Sequence, residues 1–193
     1  MLNPMAVVLQ TVSDSGQERE NGSTTMHIRE ATAADLPAIV RLNEVVQKLH
    51  AERHPEFFRH PQDPDEVHRF FADKLEGRNM LLVAVADDEQ PVGYLWAEAR
   101  SSPQNAFRYA RNMLMIHQLC VVSHARRQGV GTALMRQAQE RATRMRIETL
   151  VLGSWSFNAE AHAFFRRMGF TEFQVEMWRP VDRAGTPAAG ERC

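Results

Sequence analysis

The chain is poor in cysteine, with 2 in 193 residues: Cys120 inside an apolar stretch and Cys193 at the last position. Two thiols make neither a disulfide framework nor a zinc cluster, and Cys120 reads as a small core residue. Long hydrophobic runs are also missing. The longest, Met80 to Ala86, is far short of the roughly 20 residues needed to cross a bilayer. Nor is there an excess of charge of one sign: 23 Lys and Arg stand against 24 Asp and Glu, a formal net charge of -1. Without an overall basic field, nucleic acid or an anionic membrane is not expected as the main partner. Met1 to Val12 lacks a basic n-region and a convincing cleavage site, so no secretory signal is expected and the expected address is cytoplasmic. What is present, 44% hydrophobic and 24% charged residues in a length near that of one domain, is the composition of an ordinary soluble globule.

Polar composition without aromatic residues at 11–25 predicts a flexible leader over residues 1–25, and the Gly, Ala and Pro content of 182–193 predicts a frayed tail. The domain is expected over 26–181. Within it, His27 to Glu30 reads as a strand, and Thr32 with Asp35 reads as the capping pair of a helix reaching about Ala51. A proline- and phenylalanine-bearing loop, His54 to Pro64, precedes a short helix over Asp65 to Glu76. Leu81 to Ala86 and Val92 to Ala99 read as a hairpin, and Met113 to Val122 as a further strand. Helical spacing then runs from Gly129 to about Arg144. A strand over Ile147 to Leu152, a helix over Asn158 to Met168 and a last strand over Thr171 to Arg179 complete a mixed α/β order.

The strongest chemical signal is Arg126-Arg127-Gln128-Gly129-Val130-Gly131-Thr132, set between an apolar strand and an amphipathic helix. Glycines let backbone approach a ligand closely, a helix start offers unpaired N–H groups to an anion, and two arginines add charge-assisted donors. That chemistry suits phosphate or pyrophosphate, although a glycine pair before a helix is also a common structural turn. Leu134 stands where a dinucleotide fingerprint needs its third glycine, and no Gly-Lys-Ser/Thr of a P-loop is present.

On these residues the sequence resembles the GNAT superfamily of N-acetyltransferases, whose phosphate loop has the form Arg/Gln-x-x-Gly-x-Gly/Ala; Arg126, Gly129 and Gly131 match it. Leu119-Cys120-Val121 is similar to the family's splayed fourth strand, which pairs with the pantetheine arm of acetyl-CoA. Asn158-Ala159-Glu160-Ala161 and Phe164-Phe165-Arg166-Arg167-Met168-Gly169-Phe170 resemble the family's Asn-x-x-Ala-x-x-Phe-Tyr-x-x-x-Gly-Phe signature. The resemblance covers about Met26 to Arg179 and implies a mixed, mostly antiparallel twisted sheet flanked by helices, with a splayed fourth and fifth strand. It also implies acetyl-CoA as co-substrate, Asn158, Ala161 and Phe165 beside it, and a plausible homodimer. The family's frequent tyrosine acid falls at Phe165, which has no proton to give; Ser154, Ser156 or a water are the alternatives.

A base must take a proton from the incoming ammonium, because only a neutral amine has the lone pair to attack a thioester. His117 is the first candidate, placed by alternation on the face of Leu119, and Glu98 on the neighbouring strand is the second. The alternative for His117 is a plain hydrogen bond in the sheet, and for Glu98 an exposed strand carboxylate. His162 reads as a surface or packing residue. His50 and His54 have metal-ligand spacing, but Pro55 ends the helix and no third ligand is evident, so no metal is expected. No cysteine is placed to carry an acyl group, which leaves direct attack by a small-molecule or peptide amine in a ternary complex. A coenzyme A-binding protein without catalysis is the alternative that the vacant tyrosine position keeps open.

Overall fold

Two apolar layers on opposite faces of one sheet account for most of the burial. The computed structural model describes residues 26–87 and 89–181; the leader and tail assigned to 1–25 and 182–193 lie outside the described residues. The strands are β1 (His27–Glu30), β2 (Asn79–Val85), β3 (Pro91–Ser102), β4 (Arg111–Val121) and β5 (Thr149–Leu152). The helices are α1 (Leu36–Arg53), α2 (Pro64–Ala72), α3 (Val130–Arg144) and α4 (Ala159–Arg167). The sheet order is β1-β2-β3-β4-β5, antiparallel except for the parallel β4–β5 pair joined across α3. This is the expected mixed, mostly antiparallel sheet flanked by helices.

Alternation sorts the side chains. Leu82, Leu95, Leu114, Ile116 and Leu119 pack against Leu134, Ala138 and Phe165 of α3 and α4. Leu81, Val83, Tyr94, Trp96 and Cys120 pack against Leu36, Ile39, Leu42 and Val46 of α1 and Phe71 of α2. With both faces covered, β2 is apolar at almost every position. The Thr32–Asp35 pair forms as expected: Asp35 accepts from the Thr32 N–H at 2.7 Å, and Arg29 grips both carboxylate oxygens at 2.7 and 2.8 Å. That grip holds the Asp35 carboxyl below its usual range, and the Thr32 N–H bond adds to it.

Two irregularities distinguish β4. The β4–β5 ladder runs only from Met113 opposite Thr149 to Ile116 opposite Leu152, whereas β4 continues to Val121. Past Ile116 that edge of β4 has no β5 partner, which is the expected splay. In the β3–β4 ladder, Trp96 faces Gln118 while Ala97 faces Ile116, so His117 is the extra residue of a bulge.

The strand expected over Thr171 to Arg179 does not form. The segment has no ladder, and Phe173, Val175 and Met177 are exposed. Alternating apolar residues fit a pleated surface, but alternation alone does not make a strand: the backbone must pair, and this segment makes no ladder although the outer edge of β5 is open among the described residues. No described helix is long and apolar enough to cross a membrane.

Candidate active site

The bulge decides where His117 points. A bulge turns two successive side chains to one side of the sheet, so His117 and Gln118 share the α1/α2 face and Leu119 takes the opposite one. The expectation that His117 shares the face of Leu119 is therefore corrected: alternation fails across the inserted residue. The His117 ring stacks on Trp96 at 4.2 Å between centroids, and its Nε2 lies 3.2 Å from Glu98 Oε2. Arg100 Nε donates to the same oxygen at 2.8 Å. A carboxylate only accepts, so Nε2 carries the proton and Nδ1, which has no hydrogen bond among the described residues, holds the free lone pair. Burial lowers the His117 pKa against the opposing pull of Glu98, keeping the imidazole neutral at neutral pH. Burial also pushes the Glu98 carboxyl up, but the hydrogen bonds from Arg100 and His117 outweigh it and the net shift is downward. The two candidates are thus brought into one pair.

At the end of β4 the chain turns into α3 through Arg126 to Gly129. Gly129 caps the helix at φ 86°, a left-handed conformation that favours glycine, and a Cβ there would meet nothing within 4 Å. No side chain caps this end, so the N–H groups of Val130, Gly131 and Thr132 precede the first intrahelical bond, Ala133 N–H to Gly129 O at 2.9 Å. Arg127 and Gln128 are exposed, and Gln128 Nε2 bonds the His124 carbonyl at 2.8 Å. Arg126 folds back, its Nε donating to the Val121 carbonyl at 3.2 Å, and burial lowers its pKa. Val130 is a core residue whose contribution to a ligand is its backbone.

The remaining predicted positions divide. Leu119 and Val121 bury their side chains under α3, leaving backbone along the unpaired edge of β4. Cys120 faces α1 with its Sγ 3.5 Å from the Leu42 carbonyl, and burial pushes the thiol up to about 12, so it is no nucleophile at neutral pH. Ala161 and Phe165 are buried in the α3/α4 core, Phe165 edge-on to Phe164 and Phe170. Asn158 caps α4 through Oδ1 to the Ala161 N–H at 3.1 Å, while its Nδ2 is buried without a partner. Ser154 Oγ is likewise buried and unpartnered. Two orphaned polar atoms in the segment that leaves β5 beside the splay are the arrangement that a polar ligand arm entering the gap would satisfy. Among the described residues no group of three or more His, Cys, Asp or Glu could hold a metal ion.

Three features escaped the sequence. Asn43 Nδ2 bonds Tyr94 Oη at 3.1 Å and Gln118 Oε1 at 3.2 Å, and Tyr94 Oη donates to Gln118 at 2.8 Å, tying α1 to β3 and β4 beside His117. The signal was there in part: Asn43, Gln47 and His50 are polar positions on the buried stripe of α1. Gly93 lets β3 approach β4, since a Cβ would sit 2.7 Å from the Cys120 carbonyl; a glycine inside a strand pattern is the cue for such closeness. The third is an aromatic cluster around His50, assembled from residues about a hundred positions apart, such as Phe58 and Phe157; the sequence marks only its loop phenylalanines, as exposed or pocket-lining aromatic area over 54–64.

Residues 44–170 match the family model described as Acetyltransferase (GNAT) family. The chain is similar to an aminoglycoside N(6')-acetyltransferase type 1 of Klebsiella aerogenes, 33% identical over 120 residues that cover 59% of this chain and 74% of that protein. Among solved structures, a mutant of the BH1408 protein from Bacillus halodurans superposes with a TM-score of 0.74 at 25% identity, covering 80% of this chain and 99% of that one. The aminoglycoside N-acetyltransferase AAC(6')-Iy, solved in complex with CoA, shares the fold with a TM-score of 0.64 at 17% identity over 84% of this chain and 99% of that one. The spacing of Arg126, Gly129 and Gly131, the parted β4 and β5 and these likenesses agree: the chain belongs to the GNAT acetyltransferase family.

Proposed function

We propose that the protein is an acetyl-CoA-dependent N-acetyltransferase that transfers the acetyl group to a primary amine of a small molecule or peptide by direct attack in a ternary complex. The observation that carries this reading is that β4 loses its partner at Ile116 and the next residue is His117, paired with Glu98. The reacting centre, the base and the free backbone edge then fall on one stretch of strand. Beyond it, the N–H groups at the start of α3, with Arg126, Arg127, Gln128, Gly129, Val130, Gly131 and Thr132, suit the pyrophosphate, and a relative of the same fold was solved in complex with CoA. Backbone from Leu119 to Val121 pairs the pantetheine arm, and Asn158 Nδ2 bonds it. Ala161 and Phe165 keep only a packing role behind it.

His117 Nδ1 takes the ammonium proton, and Glu98, held by Arg100, balances the imidazolium. The amine lone pair then forms the C–N bond as the C–S bond breaks. The departing thiolate, whose thiol pKa is roughly 8.5, is a tolerable leaving group; since Phe165 has no proton to give, it is protonated through the Ser154 hydroxyl or a water, which takes in return the second proton that the nitrogen sheds as the amide forms. Release of free thiol in the presence of acetyl-CoA and an amine tests the reading. Tight coenzyme A binding with no thiol release from any amine would favour the non-catalytic alternative.

We also read the protein as cytoplasmic and as a homodimer. The homodimer is supported by the outer edge of β5, unpaired among the described residues, and by the exposed Phe173, Val175 and Met177 on the segment that borders it near Val151. Sedimentation of wild type and a Val175→Lys variant checks it.

A further inference from the structure

His50, on the last turns of α1, is 1% exposed, yet neither ring nitrogen has a hydrogen-bond partner. Its ring stacks on Phe58 at 4.6 Å and meets Trp155 and Phe157 at 6.2 and 6.1 Å. One turn on, His54 lies 4.8 Å from Trp155, and Phe57 lies 5.8 Å from it. Phe57, half exposed, meets the half-exposed Trp178 edge-on at 5.0 Å, forming an open lip.

The cluster spans the splay. Trp155 and Phe157 lie between the end of β5 and Asn158. The other rings hang from α1, which is fastened to β4 by the Asn43–Gln118 and Cys120–Leu42 bonds. His50 is two turns beyond Asn43 on the same stripe, about 10 Å along the helix at the usual rise per residue. Both the cluster and the Glu98–His117 pair therefore occupy the α1 side of the sheet, with the start of α3 on the other side of β4.

The chemistry of the cluster is selective. Ring faces and edges dominate it. The charged groups touching it are Glu56, already bonded to His54 at 2.9 Å, and Arg53, 5.8 Å over Phe157. A polyhydroxylated polycation is held by several free carboxylates and acceptors, whereas the carboxylate against these rings, Glu56, is already engaged by His54. An amine on an aromatic body suits it: the ring stacks among rings, the ammonium is drawn to their negative faces, and the ligand displaces the loop residue Phe58 to reach the orphaned nitrogens of His50. Burial keeps His50 neutral, its pKa lowered to about 4, so it does not repel the ammonium.

We propose that the box formed by His50, His54, Phe57, Phe58, Trp155 and Phe157 is the acceptor pocket and that it selects arylalkylamines over aminoglycosides and aliphatic polyamines. This rests on the N-acetyltransferase reading, so the test separates the two. Thiol release by the full-length protein with acetyl-CoA is compared for 2-phenylethylamine, tryptamine, spermidine and kanamycin. Binding of 2-phenylethylamine without acetyl-CoA is followed by tryptophan fluorescence. The expected result is a kcat/KM at least about tenfold higher for the aryl amines, with Phe57→Ala raising their KM about tenfold and changing kcat far less. The fluorescence change on titration should be lost in Trp155→Phe, while acetyl-CoA affinity stays near wild type and reports that both variants fold. Kanamycin or spermidine turned over better, with KM for the aryl amines unmoved in Phe57→Ala, overturns the pocket and leaves the acetyltransferase standing. Fluorescence binding without thiol release from any amine supports the pocket and overturns the transferase. No binding and no KM change overturns the pocket outright.

Discussion

The two sides of β4 are built on different principles. On the α3 side the candidate ligand groups are main chain: the N–H groups of Val130, Gly131 and Thr132 behind a left-handed Gly129, and the unpaired edge of Leu119 to Val121. On the α1 side they are side chains gathered from afar: His117 over Trp96 and beside Glu98, and His50 among Phe58, Trp155 and Phe157. A backbone site is specified by a few residues in a row and tolerates any side chain that keeps out of the way. A side-chain site depends on each member and on the elements that carry it. Substitutions on one side should therefore change affinity for acetyl-CoA, and on the other, turnover and amine selection.

The largest expected effect is on turnover. His117→Ala should lower kcat by about 10²- to 10⁴-fold, the span for losing a positioned base, with acetyl-CoA affinity nearly intact. His117→Gln should match it. Because only the neutral imidazole accepts the proton and burial lowers its pKa, the wild-type rate should rise with pH through an apparent pKa below the ordinary 6.5, a limb absent from both variants. A surviving limb would move the base to another group and break the division of labour.

Gly129→Glu is the converse. It should weaken acetyl-CoA by about 10- to 100-fold in calorimetric titration, through an added charge at close range and a strained left-handed backbone. Arg136→Glu, exposed on the outer face of α3, should do far less. Equal losses would mean that the site reads overall charge rather than the local main chain.

Asn158 sits between the two designs, as cap and as orphaned donor. Asn158→Ala should cost about 1 kcal/mol of stability from the lost cap. Asn158→Asp should keep the cap and still weaken acetyl-CoA by several-fold, because a donor is lost and a negative charge gained. If both variants bind as wild type, Asn158 is only a cap.

The smallest effect is on acid stability. His50 is held neutral in the folded protein, its pKa lowered to about 4 from 6.5, so unfolding takes up a proton across that window. Stability is full above pH 6.5 and falls as pH drops toward about 4. His50→Phe should flatten that fall in urea titrations at pH 7 and pH 5, with the His117 contribution remaining. An unchanged pH dependence would show that His50 has water or another partner and that the box is not dry.

Legibility in the sequence followed the same division. The α3 turn was readable because its glycines and arginines are consecutive, and the β-strands before it were readable because alternation is local. Tyr94, Gln118 and Asn43 were not, since nothing within a few residues of any of them says that they will share a hydrogen-bonded network. His117 was found as a candidate, but its direction was misjudged, because one extra residue in a ladder inverts every face assignment and a bulge is a property of two strands together. The strand expected at Thr171 to Arg179 failed for the related reason that pairing is made between segments, and alternation within one of them does not guarantee it.

What the sequence by itself determined is the order of helices and strands through β5 and α4, the two-faced burial of the sheet and the glycine turn into α3, because periodicity, capping and glycine freedom act over a few residues. Only the tertiary structure decided where β4 and β5 part, that Glu98 holds His117, that Phe165 is core, and that an aromatic box closes over His50. Those outcomes depend on register and on contacts between segments far apart in the chain, and such contacts are fixed by how whole elements pack rather than by any neighbour in sequence.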